Sequence, residues 1–149
     1  MKGMKSKFFV AVGVVFVLLW FVTLAFFPSA LDTFKDFKVE MPALTMACLV
    51  FYRLGGGLLL GAMSIATAVL LGLRWRSGWW LTLGMSVLLD VFCLATVMSL
   101  VSLTNSLNGG DALMIPLVIM LPFWLPLVFL VNQFVKAALI LNRRSFFAR

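Results

Sequence analysis

Asp90 stands in the stretch LLDVFC, a carboxylate inside an apolar run, with Ser86 one helical turn before it. Further along, Asn132, Gln133 and Lys136 interrupt a second apolar run. Residues four apart share a helix face, so Ser86 and Asp90 line one helix, and Asn132 and Lys136 line another. A carboxylate, an amide and an ammonium brought together have three uses. They can pass a proton or cation, or receive a charged residue of another protein. They can also neutralise one another and so fix the register of two helices. Thr82, Cys93 and Thr96 extend the polar face that carries Asp90.

Other chemistry is poorly supplied. The chain has no histidine, and hence no Ser/His/Asp set. The triple glycine 55–57 opens an apolar helix rather than following a strand, so it is not a phosphate-cradling loop. Cys48 and Cys93 have neither CxxC nor Cys/His spacing, so no metal centre or disulfide framework is expected. The reading is a non-enzyme without cofactor or metal.

The elements that must position Asp90 follow from composition. The 149 residues are 64% hydrophobic and 11% charged, against about 45–50% apolar and about 25% charged in soluble domains. Too few charges remain to cover a water-facing surface, and a bilayer is the solvent that fits. The net charge of +7 does not indicate nucleic acid, because the basic residues flank apolar runs as membrane anchors do.

A membrane helix needs about 20 mostly apolar residues. Phe8–Phe27 is the first such run and exceeds the length of a signal-peptide core, so it is read as an uncleaved first span. Pro28–Pro42 is the longest polar stretch, and Phe34 and Phe37 recur in it at helical spacing. It reads as a short amphipathic outer segment lying on the membrane surface. Pro42–Arg53 is expected to be a helical lead-in at the outer interface, with Arg53 at headgroup level and Pro42 at the first turn. Leu54–Leu73 is the second span, and the Trp- and Arg-rich turn at residues 74–80 leads into a third at about 80–103. The polar loop 104–111 precedes a fourth at about 116–141, which Pro116, Pro122 and Pro126 are expected to kink. The whole is one membrane domain.

Lys2, Lys5, Lys7, Arg74, Arg76, Arg143, Arg144 and Arg149 fall on one side of this arrangement, and Lys35, Lys38 and Arg53 on the other. The positive-inside rule puts both termini in the cytoplasm. The expected fold is therefore an all-α, four-helix transmembrane bundle, N-in and C-in, in a bacterial inner membrane. Asp90 then lies roughly 15 Å deep, and Asn132 and Gln133 reach the same level when counted inward from Arg143. Lys136 sits about one turn shallower, and its long stem reaches either the headgroups or Asp90. An ionised carboxylate facing lipid at that depth costs about 2.5–3.5 kcal/mol on insertion scales. Asp90 is thus expected to face inward, in a cluster with Asn132, Lys136 and Ser86.

Gly57, Gly61, Ser64, Ala68 and Gly72 form a small-residue face on the second span, opened by a GxxxG. Close backbone approach drives helix association in lipid. The face serves either an oligomer or partner contact, or packing against the first and third spans.

The order of a span ending in FFP, spaced Phe34 and Phe37, then Pro42 and Thr45 leading into a second span, resembles the transmembrane hairpin of the inner-membrane platform proteins of type II secretion and type IV pilus assembly. The resemblance covers roughly residues 14–73, with Met41 where the family has Leu. That family has helical cytoplasmic domains before the first span and between later ones, whereas this sequence has seven residues before the first expected span and a turn of a few residues after the second. The resemblance implies a shared hairpin and transfers no functional residue. The leading expectation is a small accessory subunit whose partners are other integral membrane proteins and lipid, with a second copy of the chain a further candidate. A small transporter or channel subunit using the Asp90 cluster, or a lipid-contacting protein, are the alternatives.

Overall fold

The computed structural model describes the backbone over residues 2–37, 41–106 and 124–148, and side chains at 6–27, 41–99, 101–102 and 125–148. All regular structure among these residues is helical: α1 (Lys2–Phe37), α2 (Ala43–Phe51), a π-helical turn (Tyr52–Gly56), α3 (Gly57–Gly72), α4 (Arg76–Ser106), α5 (Trp124–Leu141) and α6 (Arg143–Phe147). Among the described residues, three stretches are long and apolar enough to cross a membrane: Ser6–Phe27, Ala43–Gly72 and Arg76–Ser99. Leu125–Leu141 is a shorter apolar helix. The loop residues 107–111, with Pro116 and Pro122, lie outside the described residues, and Pro126 falls in the first described turn of α5.

The first helix runs on where the sequence suggested a separate surface segment. α1 continues through Pro28 to Phe37 without a break. A proline inside a helix has no N–H for the carbonyl four residues back, which here is that of Leu24. The structure supplies another donor: the Tyr52 hydroxyl donates to the Leu24 carbonyl at 3.0 Å. Phe27 packs against the Tyr52 ring at 6.3 Å, and against Phe92 of α4 at 4.9 Å. The side chains of Phe34 and Phe37 lie outside the described ones.

Between α2 and α3 the chain turns at Gly55, whose φ of 97° belongs to glycine rather than to L-residues. Arg53 is exposed at this bend. The lead-in expected at the membrane surface is α2, with Pro42 as its N-cap residue. It is packed into the bundle: Thr45 is fully buried against α4.

The small-residue face of α3 is used inside the chain. α1 and α3 run antiparallel, with Val10 opposite Gly72, Gly13 opposite Ala68 and Leu24 opposite Gly61. A Cβ added at Gly13 would stand 3.2 Å from that of Ala68, so the backbones meet with no room for a larger residue. Ser64 is fully buried and returns its hydroxyl to the Gly61 carbonyl at 2.7 Å. Gly57 lies against the Tyr52 ring rather than against another helix, so Gly57 and Gly61 do not act together as one helix-contact motif.

α4 returns antiparallel to α3 through a tight hairpin, in which Gly78 meets the backbone of Leu70 and Leu71. α5 runs antiparallel to α4. Trp20, Phe16, Phe27, Phe92, Leu60 and Leu89 fill the centre.

The Pro28–Leu24–Tyr52 arrangement makes a specific prediction. Tyr52→Phe should lower thermal stability in detergent by about 1 kcal/mol, the usual net worth of such a bond. Pro28→Ala restores an N–H for Leu24, so Tyr52→Phe in that background should have little effect. Equal losses in both backgrounds would show that the hydroxyl is not replacing the missing amide.

Candidate functional site

Ser86 and Asp90 project from one face of α4, and Asn132, Gln133 and Lys136 from the facing side of α5. The structure brings all of them together. Asp90 Oδ1 accepts from Asn132 Nδ2 at 2.7 Å and from Gln133 Nε2 at 3.1 Å. Asp90 Oδ2 forms an ion pair with Lys136 Nζ. Lys136 therefore reaches inward to the carboxylate.

Asn132 is the hub. It is fully buried, and each polar atom of its amide is used. The second Nδ2 hydrogen goes to the Ser86 carbonyl at 2.9 Å, while Oδ1 accepts from Ser86 Oγ at 2.8 Å. A carboxylate and a carbonyl both require a donor, and the serine hydroxyl here is one, so only this amide orientation satisfies the site. Asparagine thus ties the backbone and side chain of Ser86 to the charge at Asp90. Gln133 is a ligand of Asp90 that the sequence placed at the right depth without assigning it to the cluster.

The pair is not sealed. Side-chain exposure is 20% for Lys136 and 25% for Asp90. Asp90 also borders a cleft of about 370 Å³ between α4 and α5, with Cys93, Leu125, Pro126 and Phe129 among its walls. The rest of the α4 polar face is satisfied locally: Thr82 and Thr96 donate to the carbonyls of Gly78 and Phe92 at 2.6 and 2.9 Å. Below the cluster, Trp79 Nε1 donates to the Leu139 carbonyl at 3.3 Å, and the Arg143 guanidinium stands 5.6 Å from the Trp79 ring centre. These contacts hold the register that brings Asp90 opposite Asn132.

Two further polar sets escaped the sequence reading. Thr45 Oγ1 and Ser99 Oγ lie 2.8 Å apart, each 2.8 Å from the Ala95 carbonyl, and so fasten α2 to α4. The signal was present in Thr45 just after Pro42, but nothing in the spacing points to Ser99. The second set is built on Arg74. It ends α3 with a left-handed φ of 58°, a position glycine usually takes. Its amide bonds the Leu71 carbonyl and that of Trp75 bonds Leu70, both at 3.0 Å. Its Nη2 donates to the carbonyls of Phe146 at 2.9 Å and Ala148 at 3.0 Å, and also to that of Ser145. An arginine in a glycine position thereby caps the C-terminal helix α6.

Among the described residues no group of His, Cys, Asp and Glu is placed to hold a metal ion. Cys48 and Cys93 are free thiols, both buried.

Removing one charge of the α4–α5 pair leaves the other inside the bundle. Lys136→Met is expected to lower stability by about 1–3 kcal/mol, less than for a fully buried pair because the groups are partly exposed. Asp90→Asn combined with Lys136→Met removes both charges and should recover much of the loss. Thermal unfolding of the detergent-solubilised protein measures both, and a double variant as unstable as the sum of the singles would contradict a coupled pair.

No protein-family model matches this chain, and no curated protein or solved structure is detectably similar to it.

Proposed function

We propose that the chain is a non-enzymatic integral membrane subunit that docks onto other membrane proteins in a larger assembly. In this reading it spans a bacterial inner membrane four times with both termini in the cytoplasm. The observation that carries the reading is the closure of the Asp90 cluster. Both carboxylate oxygens are taken by side chains of α5, and the ammonium of Lys136 neutralises the charge. Such a cluster locks two helices and leaves the carboxylate already neutralised toward a passing ion.

Orientation is supported by which segments share an end. Phe9 of α1 packs edge to face against Phe146 of α6 at 4.9 Å, and the Arg74 guanidinium lies 5.9 Å from the Phe9 ring centre. The basic segments at residues 2–7, 74–76 and 143–148 thus gather at one end of the bundle, which the positive-inside rule assigns to the cytoplasm. The hairpin resemblance fits a protein that lives among the helices of others, and it assigns no residue a role.

A second reading is a small transporter or channel subunit. The cleft that reaches Asp90 between α4 and α5 favours it, because ionisable residues within membranes often mark ion paths.

Purification from native membranes in mild detergent, with mass spectrometry of what co-purifies, separates the two. A stoichiometric partner is expected. The isolated protein in liposomes should conduct no more protons than empty vesicles. Proton flux that Asp90→Asn abolishes, without loss of folded protein, would overturn the subunit reading in favour of transport.

A further inference from the structure

The end of the bundle that gathers the basic segments holds a cleft of about 430 Å³ lined by Arg74, Arg76, Phe146 and Phe147. We propose that this cleft binds a phosphate group, supplied by an anionic lipid headgroup or by a soluble phosphate.

The segments 2–7, 74–80 and 142–149 contain no acidic residue. Asp90 is the one acid among the described side chains, and it is engaged by Lys136 about four helical turns from the head of α4. No carboxylate therefore neutralises the cleft among the described residues. A guanidinium carries planar, forked N–H donors that match phosphate oxygens and stays charged at any physiological pH. Two of them line one small cavity.

Arg74 is held in place by three carbonyls of the chain's C-terminal segment, and its left-handed backbone is retained although glycine would fit there without strain. Its side chain is thus positioned before any ligand arrives, which reduces the entropy lost on binding. The Arg76 guanidinium carbon stands 5.9 Å from the Phe147 ring centre, so the charged group itself is held against the aromatic wall of the cleft. Phe146 and Phe147 pack edge to face at 5.3 Å and make the apolar wall. A cleft with cationic donors on one side and aromatic rings on the other suits a phosphodiester whose remainder is apolar. Basic pockets at the cytoplasmic ends of membrane helices bind such headgroups.

The test uses Arg76→Gln, which removes a cleft charge without touching the Arg74 cap. Arg144→Gln, exposed at the same end but outside the cleft, is the control with the same change in net charge. Binding of phosphatidylglycerol to the protein in phosphatidylcholine nanodiscs is measured for all three, with inorganic phosphate added as competitor. Arg76→Gln should weaken binding about tenfold, equivalent to one charged contact, and Arg144→Gln less than about twofold. Displacement by inorganic phosphate would make a soluble phosphate a sufficient ligand, and resistance to it would assign the site to the lipid. Equal weakening by the two variants, or none by Arg76→Gln, would overturn the site and leave only diffuse attraction.

Discussion

A polar group inside an apolar bundle must find its partner within the chain, because hydrocarbon offers none. Most of the structure's specific contacts answer that constraint. A carboxylate on α4 selects an amide and an ammonium on α5, and in doing so sets which turn of one helix faces which turn of the other. A proline in α1 frees a carbonyl, and the only tyrosine of the chain is spent on it. Thr45 and Ser99 share one carbonyl and anchor α2. Among the described residues, two buried side-chain atoms, Trp20 Nε1 and Arg74 Nε, have no hydrogen-bond partner. The first lies in the packed aromatic centre. The second belongs to the arginine that caps the C-terminal helix, at the wall of the basic cleft.

Packing supplies what hydrogen bonds do not. Apolar side chains gain little by leaving lipid for one another, so helices associate where their backbones fit closely. Gly13 against Ala68 and Gly72 against Val10 are such fits, and the tight hairpin at Gly78 is another. The small-residue face of α3 is occupied by α1. A partner would therefore meet a different surface, namely the outward-facing aliphatic and aromatic side chains of the bundle.

Much of this was legible in the sequence, for definite reasons. Depth counting along helices of fixed rise puts Asp90 level with Asn132, and the periodicity of Ser86 and Asp90 puts them on one face. Those two rules suffice to bring the cluster together. The extent of α1 was not legible. Pro28 and the charged residues after it read as an ending, whereas the helix tolerates the proline because a side chain distant in sequence replaces its amide. The register between α2 and α4 was hidden for a similar reason, since Thr45 and Ser99 meet only after the intervening helices are packed. The role of Arg74 was masked by its usefulness as a boundary marker. A residue at a membrane edge needs no further explanation until its backbone is seen in the left-handed region.

The account depends on the Asp90 carboxylate and the Lys136 ammonium being paired inside the folded protein in a bilayer. If they are paired, the cluster is a clasp between two helices. The most direct measurement is a solid-state NMR recoupling experiment in lipid, between the labelled side-chain carboxyl carbon of Asp90 and the labelled amine nitrogen of Lys136. The account predicts strong dephasing, as for atoms in direct contact, lost in Asp90→Asn. Weak or absent dephasing, with Lys136 turned toward the headgroups, would contradict the clasp and leave a solitary acid within the membrane, as a transport path requires.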